Sequence, residues 1–415
     1  GGGVVGGARE EAGPLWSNGR RGTAPEPVVI VGAGAAGSAA AEMLRRVGYE
    51  GRLVLVDPDE AAPYDRPNLS KDYLAGAAPE EWIPLRPEGF HAEHGIERIV
   101  AKAERLDAGA RELALSDGRT LRFGSLLLAT GSWPIRLRVP GADLPHVHVL
   151  RSLADCRSII AAAENARRAV VIGASFIGME VAASLRARGL EVSVVAPESV
   201  PFERTLGREL GAMLRALHEE HGVVFRLGRT AAEIRPDVVR LDDGSELPAD
   251  LVVVGIGVRP DTSLAEAAGL AVDHGILVDA RLETSVPGIF AAGDIARFPD
   301  ARTGELIRVE HWVLAQRHGQ AAARSILGRE ESFTDPPFFW TRQYDVSVTY
   351  VGHAAGWDAV VVDGDVSAHD AEVTYRRGGR TLAVATVGRP MRSLEAEAEL
   401  EAEAAGATSA TGSAA

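Results

Sequence analysis

A single cysteine, Cys156, occurs in the 415 residues. An intrachain disulfide, a Cys-x-x-Cys redox pair and any cysteine-built zinc or iron–sulfur centre are thereby excluded, and no metal site is expected. Basic residues are in deficit too: 44 Lys and Arg face 58 Asp and Glu, giving a formal charge of −14. No Lys/Arg stripe is present to neutralise phosphates, which argues against nucleic acid as a partner. A local basic patch for an acidic protein stays compatible with that balance. Long apolar runs are missing as well. No stretch of roughly 18 or more apolar residues occurs, and the start lacks a charged segment followed by an apolar one. Neither a membrane span nor a signal peptide is expected, and a cytoplasmic location is the default.

What is abundant is glycine, 46 residues, and part of the excess sits in recurring motifs. The length exceeds one typical domain and allows two or three with sizeable cores. Residues 1–26, rich in Gly, Arg, Glu and Pro, read as a flexible tail or linker. Residues 393–415 read as a second flexible tail: the Ala/Glu half has helical propensity but no evident apolar face.

Between the tails lie two passages of one design. The first opens with the apolar run Val28 to Val31, then Gly32-Ala33-Gly34-Ala35-Ala36-Gly37 and an Ala-rich helix. A second apolar run, Leu53 to Val56, ends at Asp57. The second opens with Ala169 to Ile172, then Gly173-Ala174-Ser175-Phe176-Ile177-Gly178, a helix and the strand Val192 to Val195. Each is closed by a polar hairpin feeding a returning strand: Leu126 to Gly131 in the first, Leu251 to Gly257 in the second. Two β-α-β nucleotide-binding units explain the pattern. Short alternating segments near residues 101–122 and 223–247 suggest small antiparallel sheets appended to each unit. After about Pro336, four runs between Val346 and Val387 read as antiparallel strands of a third, smaller domain.

The glycine spacing has a physical use. Gly32 allows a tight turn, Gly34 lets the backbone approach a pyrophosphate, and Gly37 lets helix pack on strand. The helix start, with Ala35 and Ala36, offers unpaired N–H groups to the anion. Asp57, at a strand end, is placed to accept hydrogen bonds from an adenosine ribose. In the second copy Ser175 stands where a middle glycine is expected, and Ala196 ends the second strand where an acid is expected. Glu198 follows two residues later, and Arg204 is a candidate for a 2′-phosphate. The choice between NADH and NADPH stays open on these residues.

Together the motifs resemble the two-dinucleotide-fold flavoproteins that include glutathione reductase. Within them, the chain is similar to the ferredoxin, rubredoxin and putidaredoxin reductases and the apoptosis-inducing-factor-like proteins. The resemblance covers about residues 27–390. It is carried by Gly32 to Gly37, Pro63 to Lys71, Gly173 to Glu180, Gly255 to Pro260, Gly293-Asp294, Glu310-His311-Trp312 and Phe339-Trp340. It implies an α/β fold with two Rossmann-like domains, the second inserted in the first, plus a small C-terminal α+β domain. The implied boundaries are 27–146 and 276–332 for FAD, 147–275 for NAD(P)H, and 333–392 for a C-terminal interface domain.

The resemblance also implies roles. Arg66 lies near the FAD pyrophosphate; Lys71 approaches flavin N5 and pairs with Glu180. Thr130-Gly131 passes beside FAD, and Asp294, which follows Gly293 in the cofactor loop, accepts from the ribitol chain. Glu310, His311 and Trp312 run along the isoalloxazine ring, and Trp340 comes from the third domain; Lys71, Glu180, Trp312 and Trp340 are the candidate catalytic residues. Gly257 belongs to the loop closing the NAD(P)H side, and Phe176 is either a gate over the nicotinamide or a packing residue. Trp133 stands where this family often has arginine, so Arg136 is the nearby arginine assigned to the cofactor. The implied activity passes electrons from NAD(P)H through FAD to a ferredoxin-like or Rieske-type iron–sulfur protein. The alternatives are a small acceptor such as a quinone or oxygen, and a redox-sensing interaction protein. A homodimer is left open as an assembly.

Overall fold

A computed structural model of the chain describes residues 27–412. The tail expected over residues 1–26 lies outside the described residues. Two five-stranded sheets, all parallel, form the frame. In the first the spatial order is Ile289–Ala291, Ser125–Leu128, Val28–Val31, Leu53–Asp57, Ile96–Val100. In the second it is Val224–Leu227, Glu191–Ala196, Arg168–Ile172, Leu251–Val254, Val147–Val149. The central strands are apolar along their whole length because helices and appended sheets cover both faces; Val28–Val31 and Leu251–Val254 are buried at every residue.

The strand Ile289–Ala291 joins the first sheet after the chain has built the second, so the second unit is inserted in the first. Three-stranded antiparallel sheets span Ala103–Arg122 in the first unit and Ala231–Pro248 in the second, where alternation suggested them. The segment Val224–Leu227, expected in such a sheet, instead extends the second parallel sheet.

Residues from Phe338 onward form a five-stranded antiparallel sheet, ordered Phe338–Gln343, Val346–Gly352, Arg380–Val387, Asp370–Arg377, Ala359–Asp365. The tail expected from residue 393 is not free. A helix, Pro390–Gly412, lies against this sheet. Its apolar stripe is one residue wide: Ala396, Leu400 and Ala404 recur every four residues and are buried. Buried Arg302 holds its far end, donating to Glu403 at 2.8 Å and to Thr381 O at 2.6 Å.

Close approach at glycine sets the site's frame. Gly32 has φ +106°, and a Cβ there would lie 2.1 Å from Ala129 O. A Cβ on Gly37 would lie 1.7 Å from Gly32 O. The helix Trp312–Ile326 crosses the helix Ala35–Arg46 through Gly319, where a Cβ would meet Ala36 O at 2.0 Å. That crossing brings the start of the later helix to the glycine loop.

Candidate functional site

One large cavity, about 1020 Å³, opens beside the first glycine loop and runs between the three units. Gly32, Gly34, Ala35, Ala36 and Asp57 line one end; Gly37 lies behind, packed on Gly32. The Asp57 carboxylate pins the loop. Oδ2 accepts from Ala33 N at 2.7 Å and Oδ1 from Asp59 N at 2.8 Å. Arg66 also lines this wall. Its Nη1 donates to Arg151 O at 2.7 Å, and its guanidinium lies 5.0 Å from the Tyr64 ring. Burial pushes the Tyr64 hydroxyl up to about 12, so it stays protonated and donates to Asp59 Oδ2 at 2.7 Å.

Farther along lie Thr130, Gly131, Gly293 and Asp294. Thr130 Oγ1 donates to Asp261 O at 2.7 Å and Asp261 N donates to Gly131 O at 2.8 Å, stitching this segment to the second unit. Asp294 Oδ2 accepts from Ser132 Oγ at 2.8 Å and from Arg151 Nη2 at 3.3 Å. Among the described residues both side-chain contacts fall on Oδ2, which leaves Oδ1 for a hydroxyl in the cavity. Buried His318 accepts from Gly293 N at 3.3 Å through Nδ1 and sits between Phe298 and Phe333, ring centroids 4.5 and 4.6 Å away. Burial pushes this imidazole down to about 3, so it is a neutral acceptor.

At the other end Lys71 meets Glu180. Nζ lies 3.0 Å from Oε2, with side chains 13% and 6% exposed. A pair this dry gains little net stability, because desolvation offsets most of the attraction. It does fix where an ammonium stands. Lys71 Nζ is also 5.3 Å from the Trp340 ring centroid. Trp340 is 46% exposed and lines the cavity mouth with Trp312, Glu310 and His311. Burial pushes His311 down to about 4, so the ring is neutral near pH 7. Phe176 reaches in from the second unit beside Ile177 and makes edge contacts with Phe202 and Phe339 at 5.0 and 4.9 Å.

A family profile described as pyridine nucleotide-disulphide oxidoreductase matches residues 26–319, and a second, reductase C-terminal, matches residues 338–410. The chain belongs to the pyridine nucleotide-disulphide oxidoreductase family. It is 37% identical over 382 residues to rhodocoxin reductase of Rhodococcus erythropolis, covering 91% of this chain and 90% of that one. It is 36% identical to human apoptosis-inducing factor 3 over 369 residues, 87% of this chain. Of that relative and its mouse counterpart the chain spans only 60%. Among solved structures, a covalent putidaredoxin reductase–putidaredoxin complex matches with TM-score 0.87 and 34% identity, covering 92% of this chain and 94% of that chain.

The pyridine nucleotide-disulphide oxidoreductase family uses FAD and NAD(P)H, and the cavity fits the first of them. At Gly34 a Cβ would find only Arg66 Nε, at 3.9 Å. Protein packing therefore does not demand glycine there, in contrast to Gly32 and Gly37. The open space beside Gly34, the helix N-terminus and the Arg66 fork together suit a pyrophosphate.

Not every expected site residue enters this cavity. Arg136 does not line it. After Gly131 the chain forms an antiparallel ribbon, Ser132–Pro134 against Val258–Pro260, and Arg136 emerges beyond it into solvent. Arg151, not Arg136, lines the cavity; desolvation lowers its pKa and the Asp294 carboxylate opposes that shift. Gly173, Ser175, Gly178, Glu198, Arg204 and Gly257 likewise lie outside the cavity. Gly173 and Gly178 repeat the first loop's contact: a Cβ on Gly178 would meet Gly173 O at 2.1 Å. Glu198 and Arg204 face each other at 3.9 Å, the arginine 87% exposed. Sequence motifs gave no sign of Arg151, Ser132 or His318; each acts through a contact far away in the chain.

Proposed function

We propose that this chain passes electrons from NAD(P)H through bound FAD to a small iron–sulfur protein of the ferredoxin or Rieske type. The observation that carries this reading is the cavity itself. It joins a pyrophosphate-sized glycine cradle, the buried Lys71–Glu180 pair and an exposed tryptophan, Trp340, in one continuous space. Rhodocoxin reductase and the structure containing putidaredoxin reductase and putidaredoxin point the same way for the acceptor.

In this reading residues 27–146 and 276–332 hold FAD, residues 147–275 bring NAD(P)H, and the remainder from 333 forms the acceptor-facing unit. Bound FAD supplies the step from two-electron hydride chemistry to one-electron delivery. One NAD(P)H then reduces two one-electron acceptors and releases one proton. The chain's own residues orient and exclude. Arg66 and the glycine loop bind the pyrophosphate, Asp57 accepts from the adenosine ribose, and Asp294 accepts from the ribitol chain. Lys71 holds a positive charge in the cavity wall, where it would favour negative charge on a bound flavin. Phe176 shapes the nicotinamide side, and Trp312 and Trp340 close the cavity toward the acceptor. The lone Cys156 is buried, its Sγ 3.1 Å from Leu69 O, and burial pushes its thiol up to about 12, so no thiol takes part. A cytoplasmic setting, where NAD(P)H is available, belongs to the proposal.

The test is turnover with an oxidised ferredoxin as sole acceptor under anaerobic conditions. Sustained ferredoxin reduction driven by NAD(P)H supports the reading. Reoxidation by quinone or oxygen alone, with ferredoxin inert, contradicts it.

A further inference from the structure

Glu180 uses both carboxylate oxygens. Oε2 accepts from Ser70 Oγ at 2.5 Å and from Lys71 Nζ at 3.0 Å, whereas Oε1 accepts from Thr341 Oγ1 at 3.0 Å. Contacts continue behind Thr341. Gln343 Nε2 lies 2.9 Å from Thr341 Oγ1, Gln343 Oε1 lies 3.0 Å from His218 Nε2, and the Tyr344 hydroxyl lies 3.3 Å from His218 Nδ1. Thr341, Gln343 and His218 are each 0% exposed.

The acceptor at one end sets every donor in the series. A carboxylate only accepts, so the Thr341 hydroxyl proton points to Glu180 and its lone pairs take the Gln343 amide N–H. The Gln343 carbonyl then takes the His218 Nε2–H, and Nδ1 takes the Tyr344 O–H. Burial, which pushes His218 down to about 4, agrees with this neutral tautomer. All donors run one way, toward Glu180, and each bond polarises the next. A proton relay is not the use of such a chain, because passing a proton through the Gln343 carboxamide would require its unfavourable imidic acid form. Orientation is what it supplies.

We propose that Thr341 and Gln343, backed by His218, are positioning residues that fix the Glu180 carboxylate and, through it, the Lys71 ammonium. The proposal rests on the reading that the Lys71–Glu180 pair faces the flavin. Its parts come from all three units: Ser70 and Lys71 from the first, Glu180 and His218 from the second, Thr341 and Gln343 from the third. Strand alternation makes the third contribution possible. Along Phe338–Gln343, Trp340 and Arg342 point outward while Phe339, Thr341 and Gln343 point in. The strand that presents Trp340 at the cavity mouth therefore grips Glu180 with its other face. Burying three neutral polar groups at this junction is costly unless every bond is made, so their arrangement tolerates few alternatives.

The experiment compares FAD-loaded Thr341→Val, Thr341→Ser, Gln343→Met, Glu180→Gln and the Thr341→Val/Glu180→Gln double variant. Anaerobic stopped-flow gives the limiting rate of flavin reduction and the NADH Kd; spectroelectrochemistry gives the flavin midpoint potential. Thr341→Val is expected to lower the limiting rate about tenfold and to shift the potential in the direction Glu180→Gln shifts it. Its NADH Kd should stay within about twofold of the parent, since ground-state binding is untouched. Thr341→Ser should restore rate and potential, and Thr341→Val should add nothing once Glu180 is Gln. Gln343→Met, which leaves Thr341 in place, should repeat the effect if Thr341→Val does not fold. Parent-like rate and potential in Thr341→Val or Gln343→Met, with Glu180→Gln altered, would overturn the positioning role. So would additive effects in the double variant. Parent-like behaviour of Glu180→Gln itself would instead overturn the reading of the pair on which the proposal rests.

Discussion

Lys71 Nζ lies 3.0 Å from Glu180 Oε2 although 109 residues separate the two in the chain. Lys71 follows the short Pro67–Ser70 turn of the first unit, and Glu180 projects from the helix Phe176–Ala187 of the second. Replacing Lys71 with Met removes the charge and keeps the stem. Flavin reduction by NAD(P)H should slow by about tenfold or more, as expected when a preorganised charge is lost from a dry site. FAD should remain bound, since the lysine is not part of the pyrophosphate cradle. Stopped-flow reduction rates equal to the parent's would remove Lys71 from the chemistry.

Asp294 carries a different weight. Its Oδ2 already satisfies Ser132 and Arg151, so Asp294→Ala strands two donors as well as losing an acceptor for the ribitol chain. The FAD Kd should rise by roughly ten- to a hundredfold, the range for losing hydrogen bonds to a charged group. The ratio of NADH to NADPH use should not change. Fluorescence titration of the apoprotein with FAD measures the first, and an unchanged Kd would sink the assignment.

Under the proposed function, nucleotide choice is assigned to Glu198 and Arg204, which face each other at 3.9 Å just beyond the strand Glu191–Ala196. Arg204 is mostly in water, where screening weakens its pull on a phosphate. Glu198 repels a 2′-phosphate and accepts from a free 2′-hydroxyl. NADH should therefore be preferred. Glu198→Gln should narrow the kcat/KM ratio by about tenfold, through loss of like-charge repulsion. A parent enzyme that favours NADPH would contradict this account.

Two buried histidines give the fold a pH dependence with a definite sign. His218 is lowered from 6.5 to about 4, and His318 from 6.5 to about 3, both by desolvation. Between these folded values and the unfolded value, the unfolded chain binds more protons, so stability rises with pH. The contribution is complete above pH 6.5 and is lost as pH falls through the folded values. Each imidazole adds a slope of up to about 1.4 kcal/mol per pH unit in that window. Urea unfolding of the FAD-bound protein measures it. His218→Gln should flatten the slope by about one proton; an unaltered slope would show that His218 is not held neutral.

The two glycine loops were legible because their chemistry is local: turn, close approach and helix start all fall within six residues, Gly32 to Gly37 and Gly173 to Gly178. Lys71, Glu180 and Asp294 became legible only through resemblance, since no spacing links them. The C-terminal helix was misread for a physical reason. Its buried stripe of Ala396, Leu400 and Ala404 is mostly alanine, and alanine also stands off the stripe at Ala398 and Ala402, so no apolar periodicity stands out. Arg136 looked like the arginine that Trp133 displaced, but a ribbon of strand carries it away, and Arg151 arrives from the next segment instead. Thr341, Gln343 and His218 carry no motif at all. Their roles exist only where three units meet.

The most direct test of electron passage from NAD(P)H through FAD to an iron–sulfur protein is a two-step anaerobic stopped-flow experiment. The FAD-loaded protein is mixed with one equivalent of NADH, bleaching of the flavin absorbance is followed, and oxidised ferredoxin is then added in excess. The account expects rapid bleaching, then recovery of flavin absorbance as two ferredoxins are reduced per NADH. A bleached flavin that persists in the presence of ferredoxin, yet recovers on adding oxygen or a quinone, would contradict it.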